Sequence, residues 1–286
     1  MSKFPAHRLE KIARLANVEV AGPFARGDVK LSWSDAPRPS TDVLERLIAE
    51  VWARERALAD DSGAVLFNGD LVRHIDHALI DDGLHIDVGP TDYKSFLGTN
   101  LRNGVLLDEI GRDAFANAIG VSALITCNRE PATVLLGHRS AKVVDQPGTI
   151  HTFGGALDAD DRGDDGQINV FAAVTREICE ELALRPDDLA ELECLGLVCD
   201  RSIWQPELVF AARVDMNADE LANRVDVSSM TAEHLDVERI VDSPAEVAAY
   251  IVQAKRTTPV AMSALCLYGW GAFGDGWFSD VLGRLG

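Results

Sequence analysis

Arg176-Glu177-Ile178-Cys179-Glu180-Glu181-Leu182-Ala183-Leu184 is the stretch whose reading decides the fold. It places carboxylates at spacings i, i+3 and i+4, with no helix breaker before Pro186. At 3.6 residues per turn, Glu177, Glu180 and Glu181 share one helical stripe. Phe171, Val174, Ile178 and Leu182 form an apolar stripe beside it, so the helix packs one face into a core and gathers negative charge next to that face. Like charges at these spacings cost about 0.2–0.5 kcal/mol per pair. A hard divalent cation with oxygen ligands offsets that repulsion. A solvated acidic face is the competing reading of the stripe taken alone.

The residue order around the stripe, with Gly154-Gly155 upstream, resembles the signature of the Nudix hydrolases: a glycine, a glutamate, then Arg-Glu-apolar-x-Glu-Glu-x-Gly-apolar. The helical half matches except at the last glycine, where this chain has Ala183. The first half departs from the pattern. Ile168 stands where the family has its earlier glutamate, and about seven residues are inserted in the Asp- and Gly-rich loop from Asp158 to Gly166. Arg176, which pairs with that glutamate in the family, needs another partner, and an aspartate of the insert is a candidate.

Composition sets the outer limits. The chain has 286 residues, 47% hydrophobic, enough for a sizeable core in two domains or one elaborated domain. The five cysteines (127, 179, 194, 199 and 266) form neither a CxxC pair nor a disulfide framework, as expected in a reducing cytoplasm. A basic-then-apolar leader is not seen, and the longest mostly apolar run, Val260 to Phe273, is too short to span a membrane. The net charge of −19 argues against nucleic acid or an anionic membrane as a partner. A homodimer is compatible with the sequence.

Along the chain, a basic helix-like segment precedes the strand Val29 to Trp33. Leu44, Leu47, Ile48, Val51 and Trp52 then recur at helical spacing in a helix ending near Asp60. Residues 64–88 read as a hairpin turning at Asp82-Gly83. His74 and His77 are an odd number of positions apart. On a regular strand this puts them on opposite faces, which makes them ordinary strand histidines. A connector, 89–118, ends in a helix near Asp113 to Ile119. Strands follow at Val121 to Cys127, Thr133 to Leu136, Leu195 to Ser202 and Leu208 to Val214, with helices at Ala245 to Ala254 and Ala261 to Trp270. The expectation is an α/β protein: a Nudix α/β/α sandwich with a mixed sheet over residues 111–286, preceded by a smaller α+β domain over 1–110 that contributes to a nucleotide pocket.

Within the family, Tyr93 to Asn100, Leu136 to Gly155 and Glu177-Ile178-Cys179 are similar to blocks in the Nudix enzymes that hydrolyse UDP-glucose and UDP-galactose. The resemblance implies that Phe67 and Tyr93 contact the nucleotide, Arg139 its phosphates and Asp158 the substrate. It implies that Glu177 and Glu181 bind Mg²⁺, with Mn²⁺ as a substitute. Glu180 and a carbonyl of Gly154 or Gly155 complete the expected metal set, and Glu180 is the candidate base. His151, Ala156 and Val260 stand where those enzymes have aspartate, histidine and serine. The bland readings are a surface ion pair for Arg139, core aromatics for Phe67 and Tyr93, and packing for Cys179. The expected reaction is Mg²⁺-dependent hydrolysis of a UDP-sugar to UMP and sugar 1-phosphate. The alternatives are the same chemistry on CoA, ADP-ribose or a dinucleotide, or a nucleotide-sugar sensor without catalysis.

Overall fold

The computed structural model describes residues 17–63, 65–140, 146–163, 166–227 and 234–285. The basic segment expected near the N-terminus lies outside them. The fold is α/β. Its main sheet runs in the order β1 (Asn17–Phe24), β9 (Leu189–Asp200), β10 (Gln205–Val214), β5 (Gly120–Cys127), β6 (Thr133–Arg139) and β11 (His234–Val241). Two short strands complete it: β7 (Ile150–His151) pairs with β6, and β8 (Phe153–Ala156) pairs with β5. β10 and β5 are parallel and the other pairings antiparallel, so the sheet is mixed. Every residue of β5 is buried, which its nearly unbroken apolar sequence Gly-Val-Ser-Ala-Leu-Ile-Thr-Cys requires.

Helices cover both faces. The carboxylate helix, Val170–Leu182, lies on one side, where Phe171, Val174, Ile178 and Leu182 join Val121, Ala123 and Phe153 in one core. Asn169 starts it by accepting the Ala172 N–H, and Ala183 ends it in the left-handed region at φ 50°. On the other side Pro244–Gln253 and Pro259–Arg284 pack with Leu124, Val134 and Val209. The last helix is longer than the spacing predicts, and Gly274 (φ 84°) breaks it in two. No helix among the described residues is long and apolar enough to cross a membrane.

A three-stranded sheet, β2 (Val29–Trp33), β4 (Gly83–Asp92) and β3 (Asp70–Ile80), and the helix Asp42–Ser62 make up most of the remaining N-terminal part. The strand β1 lies before residue 110 yet pairs with β9 at the edge of the main sheet. Val72, Leu84, Ile86 and Val88 of the small sheet belong to the same core as the carboxylate helix. The hairpin turn sits one position earlier than expected: Asp81 and Asp82 take positive φ, and Ile80 pairs with Gly83.

The helix expected over 113–119 does not form. A single turn at Arg112–Ala114 gives way to a buried extended segment. Its backbone is satisfied by the neighbouring strand instead: His74 N–H donates to Asn117 O at 3.0 Å, and Ile119 N–H to Val72 O at 3.0 Å. Burial on every side gave this segment apolar residues at helix-compatible spacings.

Candidate active site

The paired glycines and the carboxylate helix meet. Val121 pairs with Gly155 and Ser122 with Gly154, which brings the glycines onto the centre of the sheet. Gly154 N–H donates to Glu181 Oε2 at 3.1 Å. A Cβ on Gly155 would lie 2.7 Å from Glu177 Oε2, so the missing side chain makes room for that carboxylate. At Gly154 a Cβ would come within 2.0 Å of the Val121 carbonyl oxygen. The two glycines therefore serve different ends, one for strand pairing and one for a carboxylate cradle.

Arg176 finds its partner in the insert. Its Nη2 donates to Asp161 Oδ1 and Oδ2 at 3.0 and 3.2 Å, and its Nη1 donates to Glu177 Oε1 at 2.8 Å. Burial works against the charged guanidinium, but the Asp161 hydrogen bonds and the charges of Glu177, Asp161 and Asp158 outweigh it and raise its pKa. Asp161 thus does for Arg176 what Ile168, buried in the core, cannot. Asp158 caps the turn Ala159–Asp161 by accepting from the Asp160 and Asp161 N–H groups, which fixes the loop after the glycines.

The three helix glutamates differ in setting. Glu181 is buried, Glu177 is mostly covered, and the Glu180 side chain is 57% exposed, 3.7 Å from Arg176 Nη1. Their oxygens do not all lie within 4.8 Å of one another, as mutual repulsion dictates while Arg176 and Gly154 hold two of them. The donor set is oxygen only, one carboxylate sits in a cradle that a Cβ would fill, and a second is anchored by a backbone N–H. These residues fit a hard divalent cation.

The remaining predicted site residues fall on two sides of this centre. Phe67 is 72% exposed, so it is not a core aromatic. Its ring lies against Gly69, whose carbonyl accepts from Tyr93 N–H at 2.9 Å. Tyr93 is half-buried against Phe96, Ala116, Ala118 and Ile203. Leu71, two positions after Gly69, bridges to Asp158, which links this aromatic corner to the glycine loop. Arg139 ends β6 on the opposite side of the glycines. Alternation sends it to the face of Leu135, which carries the carboxylate helix. Among the described residues its buried Nε makes no hydrogen bond.

One polar group was not signalled by the sequence. Ser122 donates to buried Glu207, shares a 2.7 Å hydrogen bond with Thr152, and sits beneath the helix Pro259–Arg284. His151 joins it, with Nε2 3.7 Å from Glu207 Oε1 and Nδ1 2.6 Å from Thr258 Oγ1. Glu207 is the third residue of the otherwise mostly apolar strand β10, and its local sequence carries no motif. Val260, 2% exposed, is packed in the core on this side.

No protein-family model matches the chain, and no curated protein matches it. Among solved structures, it is similar to a Nudix hydrolase from M. smegmatis, RenU, at 16% identity and TM-score 0.37, over 55% of this chain and 86% of that one. A MutT protein from Methanosarcina mazei Go1 aligns at 16% identity and TM-score 0.33, over 59% and 91% of the two chains. An Ap4A hydrolase from C. elegans aligns at 17% identity and TM-score 0.34, over 54% and 96%. The functional reading rests on the geometry of the site.

Proposed function

We propose that this chain is a Nudix-type hydrolase that cleaves the phosphoanhydride of a nucleoside diphosphate-linked compound with a divalent cation, Mg²⁺ or Mn²⁺. The observation that carries the reading is the meeting of Glu181 with Gly154 and of Glu177 with Gly155. Glu177, Glu181 and the Gly155 carbonyl would hold the cation, and Glu180 would join them by rotation of its exposed side chain. Bound there, the cation supplies charge neutralisation on the diphosphate and a more acidic water. Arg176 and Asp161 fix Glu177 from behind and leave its second oxygen toward Gly155. Arg139, with Nε uncommitted among the described residues, has a planar guanidinium fork suited to bridging two oxygens of a phosphate. Glu180, the carboxylate most open to water, takes the proton from the attacking water.

The substrate is proposed to be UDP-glucose or UDP-galactose, giving UMP and sugar 1-phosphate. Exposed Phe67, whose ring lies against the Gly69 to which Tyr93 hydrogen-bonds, offers a face for a base to stack on, and Asp158 bridges to nearby Leu71. The same chemistry on CoA, ADP-ribose or a dinucleotide is the alternative. The non-catalytic sensor is less well supported, because Asp161 restores the arginine partner that Ile168 had removed.

The test is phosphate release from a panel of nucleoside diphosphate compounds, with Mg²⁺ and with chelator, using a phosphatase to reveal monoester products. Chelator-sensitive turnover of UDP-sugars above CoA and ADP-ribose supports the full proposal. Turnover of another compound keeps the chemistry and removes the uridine pocket. Saturable UDP-sugar binding with no turnover anywhere would show the sensor instead.

A further inference from the structure

The odd spacing of His74 and His77 does not separate them. A bulge in β3, seen as a register shift between His74 and Asp76 against β4, adds a residue and returns both side chains to one face. His74 Nε2 lies 3.0 Å from His77 Nδ1, and the ring centroids are 5.2 Å apart. Glu19 of β1, on the edge of the main sheet, completes a set whose ligand atoms all lie within 4.8 Å of one another. Among the described residues no other group of three or more His, Cys, Asp or Glu donors meets that condition.

A second observation points to a ligand. The Glu19 side chain is 7% exposed, and its Oε1 accepts from Arg112 Nη1 at 2.6 Å. Its buried Oε2 has no hydrogen-bond partner among the described residues and lies 3.9 Å from His77 Nδ1. A buried carboxylate oxygen without a partner is costly. A hydrogen bond shared between two neutral histidines, the bland account of this pair, leaves that oxygen unmatched.

We propose that Glu19, His74 and His77 form a Zn²⁺ site that ties the edge strand of the main sheet to the small sheet. Two imidazole nitrogens and one carboxylate are a donor set that selects zinc over magnesium. The 3.0 Å nitrogen separation suits two donors each roughly 2.0–2.1 Å from a common centre, and Glu19 reaches it by a small side-chain adjustment. Arg112 acts from behind the carboxylate, orienting Glu19 through its other oxygen. The site is separate from the carboxylate helix and does not depend on the proposed hydrolase activity.

The experiment titrates the full chain with Zn²⁺ in excess Mg²⁺, which occupies oxygen-only sites, and records zinc-edge X-ray absorption and the thermal midpoint. The expected result is one zinc per chain with an imidazole shell and a raised midpoint. His77→Ala, at the more exposed ligand, should remain folded and weaken zinc at least about 10-fold, since loss even of an outer partner costs that much. Glu19→Gln should weaken it comparably, and the Glu177→Gln, Glu181→Gln double variant should bind zinc like the wild type. Failure to bind stoichiometric zinc, an oxygen-only shell, or unchanged affinity in folded His77→Ala would overturn the proposal.

Discussion

The backbone N–H of Gly154 donates to Glu181 Oε2 at 3.1 Å, joining strand β8 to the last turn of the carboxylate helix. A glutamine at position 181 keeps an oxygen for that N–H and loses the charge. Glu181→Gln is therefore expected to lower metal-dependent turnover by about 100-fold or more and to change stability by less than about 1 kcal/mol. Steady-state kinetics beside a denaturant melt measures both. Near-normal turnover would remove Glu181 from the site.

Gly154 and Gly155 should separate under the same substitution. Gly154→Ala drives a Cβ into the Val121 carbonyl and should destabilise by about 3 kcal/mol or more. For Gly155→Ala the three nearest atoms are all in the Glu177 carboxylate, which gives way more readily than backbone at the cost of its hold by Arg176. The variant should fold nearly as well as the wild type and lose at least about 10-fold in turnover. Equal stability losses in the two variants would contradict the division of roles.

Removing the Asp161 carboxylate tests the support behind Glu177. The Arg176–Asp161 pair is partly exposed, so Asp161→Asn should cost about 1 kcal/mol or less in stability. Turnover should fall more than stability does, because Arg176 also orients Glu177 at 2.8 Å. A variant with full turnover at saturating Mg²⁺ would show the pair to be only structural.

Ala183 ends the carboxylate helix at φ 50°, a conformation in which a Cβ costs about 1 kcal/mol. Ala183→Gly should raise the thermal midpoint, with a net gain below about 1 kcal/mol after the larger unfolded-state entropy of glycine. A lowered midpoint would mean that the methyl group packs favourably enough to outweigh the strain.

Alkaline stability follows from the buried thiols. Burial pushes Cys127 to about 11, and Cys194, Cys199 and Cys266 to about 12, against a value near 9.0 in the open chain. Raised folded values mean the native state keeps protons that the unfolded chain releases, so this contribution is complete below pH 9 and falls as pH rises above it. The thermal midpoint should drop between pH 9 and 11, and less steeply in a Cys194→Ala, Cys266→Ala double variant. An unchanged slope would exclude Cys194 and Cys266 as its cause.

The parts of the fold that were legible in the sequence are those with local signatures. The carboxylate helix, the helix Asp42–Ser62 and the β3–β4 hairpin announce themselves by periodicity, caps and turn residues. The aspartate partner of Arg176 was foreseeable from the resemblance, because Ile168 stands where the family's partner glutamate would be and the insert beside it is rich in aspartate. What stayed hidden depends on distant pairing. Nothing in Asn17–Phe24 indicates that it joins β9, far along the chain. The bulge that reunites His74 with His77 breaks the two-residue period on which the strand argument relied. Glu207 becomes a site residue only because Ser122 and Thr152 are brought beside it.

Hydrolysis of a UDP-sugar in ¹⁸O-labelled water, with Mg²⁺ and with chelator, tests the central claim most directly. Water attack on one phosphorus, dependent on the cation, predicts UMP and sugar 1-phosphate with a single labelled oxygen on one of the two. That product should vanish with chelator and in Glu181→Gln. Lack of turnover for every nucleoside diphosphate compound at saturating Mg²⁺ or Mn²⁺, or turnover indifferent to chelator, would contradict it.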